Sequence, residues 1–142
     1  MIVTNAVTPR ADQVQAFYFG AGAADHGPMV MVNLLKFRDK AAYADGSEPE
    51  LSGREAYLRY GAGVQACLAA VGGRSIYAGP VTGIILGDVG ELWDMVALAE
   101  YPSAAAMMAM VALPAYKAIE HHRTAGLAGQ LNIRTKPLDR GA

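Results

Sequence analysis

The chain has 142 residues and a mass of 14.9 kDa, the length of a single domain. Apolar residues make up 53% and charged ones 18%, against a usual ~25%, and 12 basic against 13 acidic residues leave a net charge of −1 with no run of one sign. This balance excludes a disordered chain, the basic face of a nucleic-acid reader and a polybasic membrane surface, and one cysteine, Cys67, excludes a disulfide scaffold.

Thr8-Pro9 is a favoured helix start, Thr at N-cap and Pro at N1, so residues 10–19 read as a short helix ended by Gly20 and Gly22. Residues 29–37, MVMVNLLKF, form a β-branched and apolar run bounded by Pro28 and Arg38-Asp39, which is a strand. Its faces, Val30, Val32 and Leu34 on one side and Met31, Asn33, Leu35 and Phe37 on the other, are both largely apolar, so both should be covered. Residues 39–51 hold Asp45-Gly46, Ser47 and Pro49, the chemistry of a loop. Ser52 with Glu55 makes a capping box for a long helix that runs to about Val71 and stops at Gly72-Gly73. Its apolar stripe is Tyr57, Tyr60, Val64, Cys67 or Leu68, and Val71.

Residues 74–86 are strand-like but interrupted by Gly79-Pro80 and Gly83, which fits a bent edge strand. A turn at 87–90 leads to a strand over 92–101, and Pro102-Ser103 opens a second helical region that Pro114 interrupts and Gly126 ends. Residues 127–133 form a last short strand. After the leading helix the order is strand, helix, strand, strand, helix, strand, the split βαβ or ferredoxin-like arrangement. The expected fold class is therefore α+β, a single domain with an N-terminal helical extension over about residues 1–27, a βαββαβ core over about 28–135 and a loose tail over 136–142. Two helices cover one face of such a sheet. Because the strands are apolar on both faces, the other is expected to pack on a second copy of the chain, giving a homodimer. No stretch approaches ~18 apolar residues and the opening lacks a signal peptide's charged and apolar regions, so the expected location is a reducing cytoplasm, with neither membrane nor nucleic acid as partner.

The segments MVNLLKF, SGREAYLRYGAGV, LAAVGGRSIYAG, WDMVALAEYPS and PAYKAIEHHRTAGL, in this order over residues 29–133, resemble the domain-of-unknown-function 1330 family. The resemblance implies a dimeric α/β barrel built on the ferredoxin-like unit, in agreement with the strand order, and places the leading helix outside the core as an appendage. It implies no chemistry.

No Gly-x-Gly-x-x-Gly after a strand, Walker loop, Cys pair or His-Glu-x-x-His occurs, and the Gly20-Ala21-Gly22 stretch follows a helix, so no cofactor is expected. Asn33, on the strand face of Met31 and Leu35, reads either as an amide bonded to neighbouring backbone or a tyrosine, or as a ligand contact. Tyr57 and Tyr60 serve either as core residues or as the lining of a polar pocket. Arg54, one turn before Tyr57, is either solvated or a donor to a carboxylate. Asp94 faces with Leu92, Val96 and Leu98 and must be paired, with Arg54, Arg123, His121 or His122, or else titrate as an acid or base, while Trp93 points to the opposite face and the dimer contact.

In His121-His122-Arg123, counting from Tyr116 and Ile119 turns His122 or Arg123 inward and His121 outward. The two histidines diverge by ~100° and His26 lies far off in a loop, so no metal site is expected. Cys67 reads as a buried, inert thiol, and Met107, Met108 and Met110 as adaptable core. The leading functional expectation is a small-molecule pocket between sheet and long helix, lined by Asn33, Arg54, Tyr57, Tyr60, Asp94, His122 and Arg123. As an enzyme it would perform cofactor-free acid/base chemistry on a small carboxylate or aromatic compound, with His122 and Asp94 as acid and base and Arg54 or Arg123 on the carboxylate. The alternative is a non-catalytic metabolite-binding or assembly protein.

Overall fold

The computed structural model describes residues 1–20 and 27–138; Gly22 and His26 lie outside the described residues. Helix α1 (Ala11–Phe19) precedes β1 (Met29–Phe37), α2 (Gly53–Ala70), β2 (Arg74–Pro80), β3 (Met95–Tyr101), α3 (Ala104–Val111), α4 (Pro114–Lys117), α5 (Glu120–Gly126) and β4 (Leu127–Thr135). The strands form one sheet in the order β2-β3-β1-β4, every neighbouring pair antiparallel. This is the ferredoxin-like α+β topology expected from the sequence. No helix of the described residues is long and apolar enough to cross a membrane.

Local chemistry explains most boundaries. β1 is apolar on both faces because it is central, paired with β3 through Asn33↔Ala97 and with β4 through Asn33↔Asn132. Ser52 Oγ accepts from the Glu55 N–H at 3.0 Å while the Ser52 N–H donates to Glu55 Oε1 at 3.2 Å, and α2 ends where Gly72 takes φ +79°. α1 starts later than Thr8-Pro9 indicated. Arg10 is still extended and serves as its N-cap, its N–H donating to Gln13 Oε1 at 3.0 Å. β2 stops at Pro80, which has no N–H to continue a ladder, so Ile84, Ile85 and Leu86 lie in a loop, 53%, 103% and 87% exposed, rather than in a strand. β3 begins at Met95 instead of residue 92, and β4 runs on to Thr135, whose hydroxyl donates to the Val30 carbonyl at 2.7 Å. The second helical region is three helices, with Pro114 at the start of α4 and a further break at Ile119, the N-cap of α5.

Helices cover the face that carries Met29, Met31 and Leu35. One core joins Met31, Cys67, Leu68, Tyr101, Met110 and Tyr116; a second joins Leu35, Tyr57, Met95 and Leu127. Cys67 is buried, Met110 is buried and Met107 half-buried, whereas Met108 is exposed. α2 and α5 cross closely: a Cβ on Gly126 would sit 2.5 Å from the Gly53 carbonyl oxygen and 2.9 Å from the Tyr57 nitrogen, so both glycines are required. The opposite face holds Val32 between Leu98 and Ile133 and Leu34 between Val96 and Leu131, with Tyr77 beside Leu98 on β2. These residues belong to none of the cores. Ahead of α1, Ala6 pairs with Gln130 through two backbone hydrogen bonds of 3.1 and 2.9 Å, so the N-terminal segment runs along the free edge of β4.

Candidate functional site

Two positions select the polar centre of the sheet. The register sets Asn33 one strand away from Gln130, and α5 sends Arg123 back over β4. Arg123 Nη2 donates to Gln130 Oε1 at 2.8 Å, Gln130 Nε2 donates to Asn33 Oδ1 at 2.6 Å, and Asn33 Nδ2 donates to the Ala97 carbonyl at 3.1 Å. The direction of this relay is fixed at its head, because a guanidinium can only donate; that turns the Gln130 amide, which in turn turns Asn33. Gln130 is 7% exposed, and Arg123 is half-buried with this neutral amide as its partner and no carboxylate paired with it among the described residues.

Beside this relay, Tyr57 stacks at 5.4 Å between Phe37 and Tyr60, and Tyr60 shares a hydroxyl contact of 3.2 Å with Tyr116. Burial pushes the Tyr57 phenol up to about 12, against the pull of the Arg123 guanidinium, and burial likewise raises Tyr60. These phenols are neutral at physiological pH. The Tyr57 hydroxyl makes no hydrogen bond among the described residues, although the residue is nine-tenths buried.

A cavity of about 400 Å³ lies between the N-terminal segment with α1 on one side and β4, Met31 and Met107 on the other; Arg123 and Gln130 are part of its wall. Phe17 of α1 is held there from behind by Arg134, whose guanidinium sits 4.3 Å above the ring and whose Nη1 donates to the Phe17 carbonyl at 3.2 Å.

Of the residues marked in the sequence, the structure sets Asn33, Tyr57, Tyr60 and Arg123 near one another, though of these four Arg123 alone lines the cavity, and separates the other three. Asp94 is on the opposite face of the sheet, where its Oδ2 accepts from the Phe37 N–H at 2.8 Å and its Oδ1 meets Lys36 Nζ at 3.3 Å; its partner is Lys36, not Arg54, Arg123 or a histidine. The physical reason is alternation: Ala97 is opposite Asn33, so Asp94 shares the side of Val96. Trp93 donates to Asn5 Oδ1 at 2.9 Å. His122 turns away from the cavity, its Nδ1 2.7 Å from the Tyr43 hydroxyl, and its ring stacks on His121 at 4.0 Å instead of diverging from it. Burial, then the charges of His121 and Arg59, lower the His122 pKa. Arg54 is exposed on the first turn of α2 and forms no part of the cavity wall. The sequence reading missed Gln130, Phe17 and Met107, and the Glu48–Arg59 pair (2.6 and 2.9 Å) beside Tyr43 and His122. Alternation along β4 could have found Gln130, since it lies two residues from Asn132, the partner of Asn33.

Residues 41–135 match the model of the family described as "Domain of unknown function (DUF1330)". The crystal structure of methylated RPA0582 protein is similar to the chain at 34% identity, with 99% of this chain and 100% of that one covered and a TM-score of 0.83. A second structure of RPA0582, a protein of unknown function from Rhodopseudomonas palustris, covers 96% of this chain and 99% of its own at 34% identity, with a TM-score of 0.81. No curated protein matches. Cavity, relay and fold are thus features of a chain that belongs to the DUF1330 family.

Proposed function

We propose that the protein binds a small carboxylate in the cavity between α1 and β4, with Arg123 as the anion's partner. One observation carries this reading: a half-buried guanidinium in the cavity wall whose partner is the neutral amide of Gln130. A buried cation is stable when paired, and a carboxylate matches the unused N–H groups of the fork. Gln130, held by Asn33, fixes the guanidinium's orientation, so Asn33 is a positioning residue. His122 and Asp94 stand outside this cavity and take no step in it. The test is a thermal-shift screen against small carboxylates. A ligand at 100 times its Kd adds ~2.7 kcal/mol, on the order of 8 °C for a domain of this size. Arg123→Gln should abolish the response and Arg123→Lys should keep part of it. A response unchanged in Arg123→Gln, or a flat panel with wild type, would sink the reading.

We also infer that a second copy covers the apolar outer face of the sheet. On that face Tyr77 and Ile133 are exposed and Val32, Leu34, Val96, Leu98 and Leu131 are half-buried, a continuous apolar stripe that belongs to none of the cores. Sedimentation at micromolar concentration should give a dimer, and Leu98→Glu a folded monomer. A monomeric wild type would refute this.

A further inference from the structure

The cavity has two chemically different ends. Gln130 pairs with Leu35, whereas Arg134 pairs with Met31, four residues further along β1 and so about 13 Å away at ~3.3 Å per residue. The polar end is therefore Arg123 and Gln130; the far end is Met31, Met107 and the Phe17 ring, the last fixed in place by Arg134. Among the described residues, the cations of that far end already have partners. Arg134 is spent on the ring and carbonyl of Phe17, and Arg10 is paired with Asp12 at 3.0 Å. Thioethers and an aromatic ring make a soft apolar wall.

Resting on the carboxylate reading, we propose that the occupant is a monocarboxylate with an extended apolar body, its anionic head on Arg123 and its tail directed along β4 toward Phe17 of α1. α1 is then the specificity wall of the site. It has no residue in the buried core and touches the ligand's tail through Phe17. A dicarboxylate would bring its second charge to a wall without a partner and is rejected.

The experiment is an NMR titration of the whole chain with butanoate, hexanoate, octanoate and adipate, on wild type, Phe17→Ala, Met107→Ala and Arg123→Gln. In wild type the affinity should rise about fourfold per buried methylene from butanoate to octanoate. Adipate should bind no better than butanoate. Phe17→Ala, or Met107→Ala from the facing wall, should flatten the rise; Arg123→Gln should abolish all binding. Equal affinity for butanoate and octanoate that still depends on Arg123 would overturn the ligand class and leave the carboxylate site intact. An unflattened rise in both wall variants would overturn the role of α1. Loss of every carboxylate response, or one indifferent to Arg123, would overturn the site itself.

Discussion

Asn33→Ala tests the relay from its far end. The substitution removes the acceptor of Gln130 Nε2 at 2.6 Å, and Gln130 is 7% exposed, so a buried amide donor loses its partner. Such an orphan costs about 1–3 kcal/mol, and the lost bond to the Ala97 carbonyl adds about 1 kcal/mol, so the total is roughly 2–4 kcal/mol. Unfolding entropy near ~2.1 cal/mol/K per residue makes 1 kcal/mol worth about 3 °C in a chain of this length, which sets the expected loss at roughly 6–12 °C. Differential scanning calorimetry of Asn33→Ala, Gln130→Leu and the double variant reads both the size and the coupling. Because the two side chains share one bond, the double variant should lose less than the sum of the singles, by about 1 kcal/mol or more. A single-variant shift under about 2 °C, or two losses that add within ~0.5 kcal/mol, would show that the relay does not act as a unit.

Three further outcomes follow from the geometry. The folded-state pKa of His122 is lowered, so the unfolded chain binds the proton more readily; stability is therefore full above the ordinary histidine value of ~6.5 and falls as pH drops below it, and His122→Gln should flatten that decline in urea titrations at successive pH values. Gly126→Ala forces a Cβ against the Gly53 carbonyl and the Tyr57 nitrogen, and should cost about 3 kcal/mol or prevent folding, a loss visible by circular dichroism and absent for Ala128→Gly, two residues on and exposed in β4. Tyr57→Phe removes a hydroxyl that bonds to none of the described residues and keeps some contact with solvent, so chemical denaturation should show stability unchanged within about 1 kcal/mol; a larger loss would refute this.

The fold was legible because its signals are local. The Ser52–Glu55 box, the Gly72 stop and the apolar run of β1 each act within a few residues, and together they order the elements. The site was legible only in part. Alternation along one strand is plain, but which face of β3 matches which face of β1 depends on the pairing Asn33↔Ala97, a contact between residues far apart in sequence; hence Asp94 was grouped with Asn33 although it lies across the sheet. Counting from Tyr116 and Ile119 leaves His122 and Arg123 as alternatives, and the break of helical phase at Ile119 between α4 and α5 gives the inward position to Arg123. α1 carries no apolar stripe and has no buried residue, so nothing in its own periodicity marks it as a cavity wall.

Gln130 has two duties on one residue: its backbone grips Ala6, and its side chain aims Arg123. The anchor of the N-terminal segment and the orienter of the anion partner thus cannot drift apart. From that fixed point residues 7–10 lead to α1, and this connector works as a ruler. Lengthening or shortening it moves the Phe17 wall while the head of the site stays put. Cavity size can therefore diverge among chains of this fold through changes in a short connector, so long as Val7 keeps its place against the Leu35 and Tyr57 cluster and Phe17 its hold on Arg134.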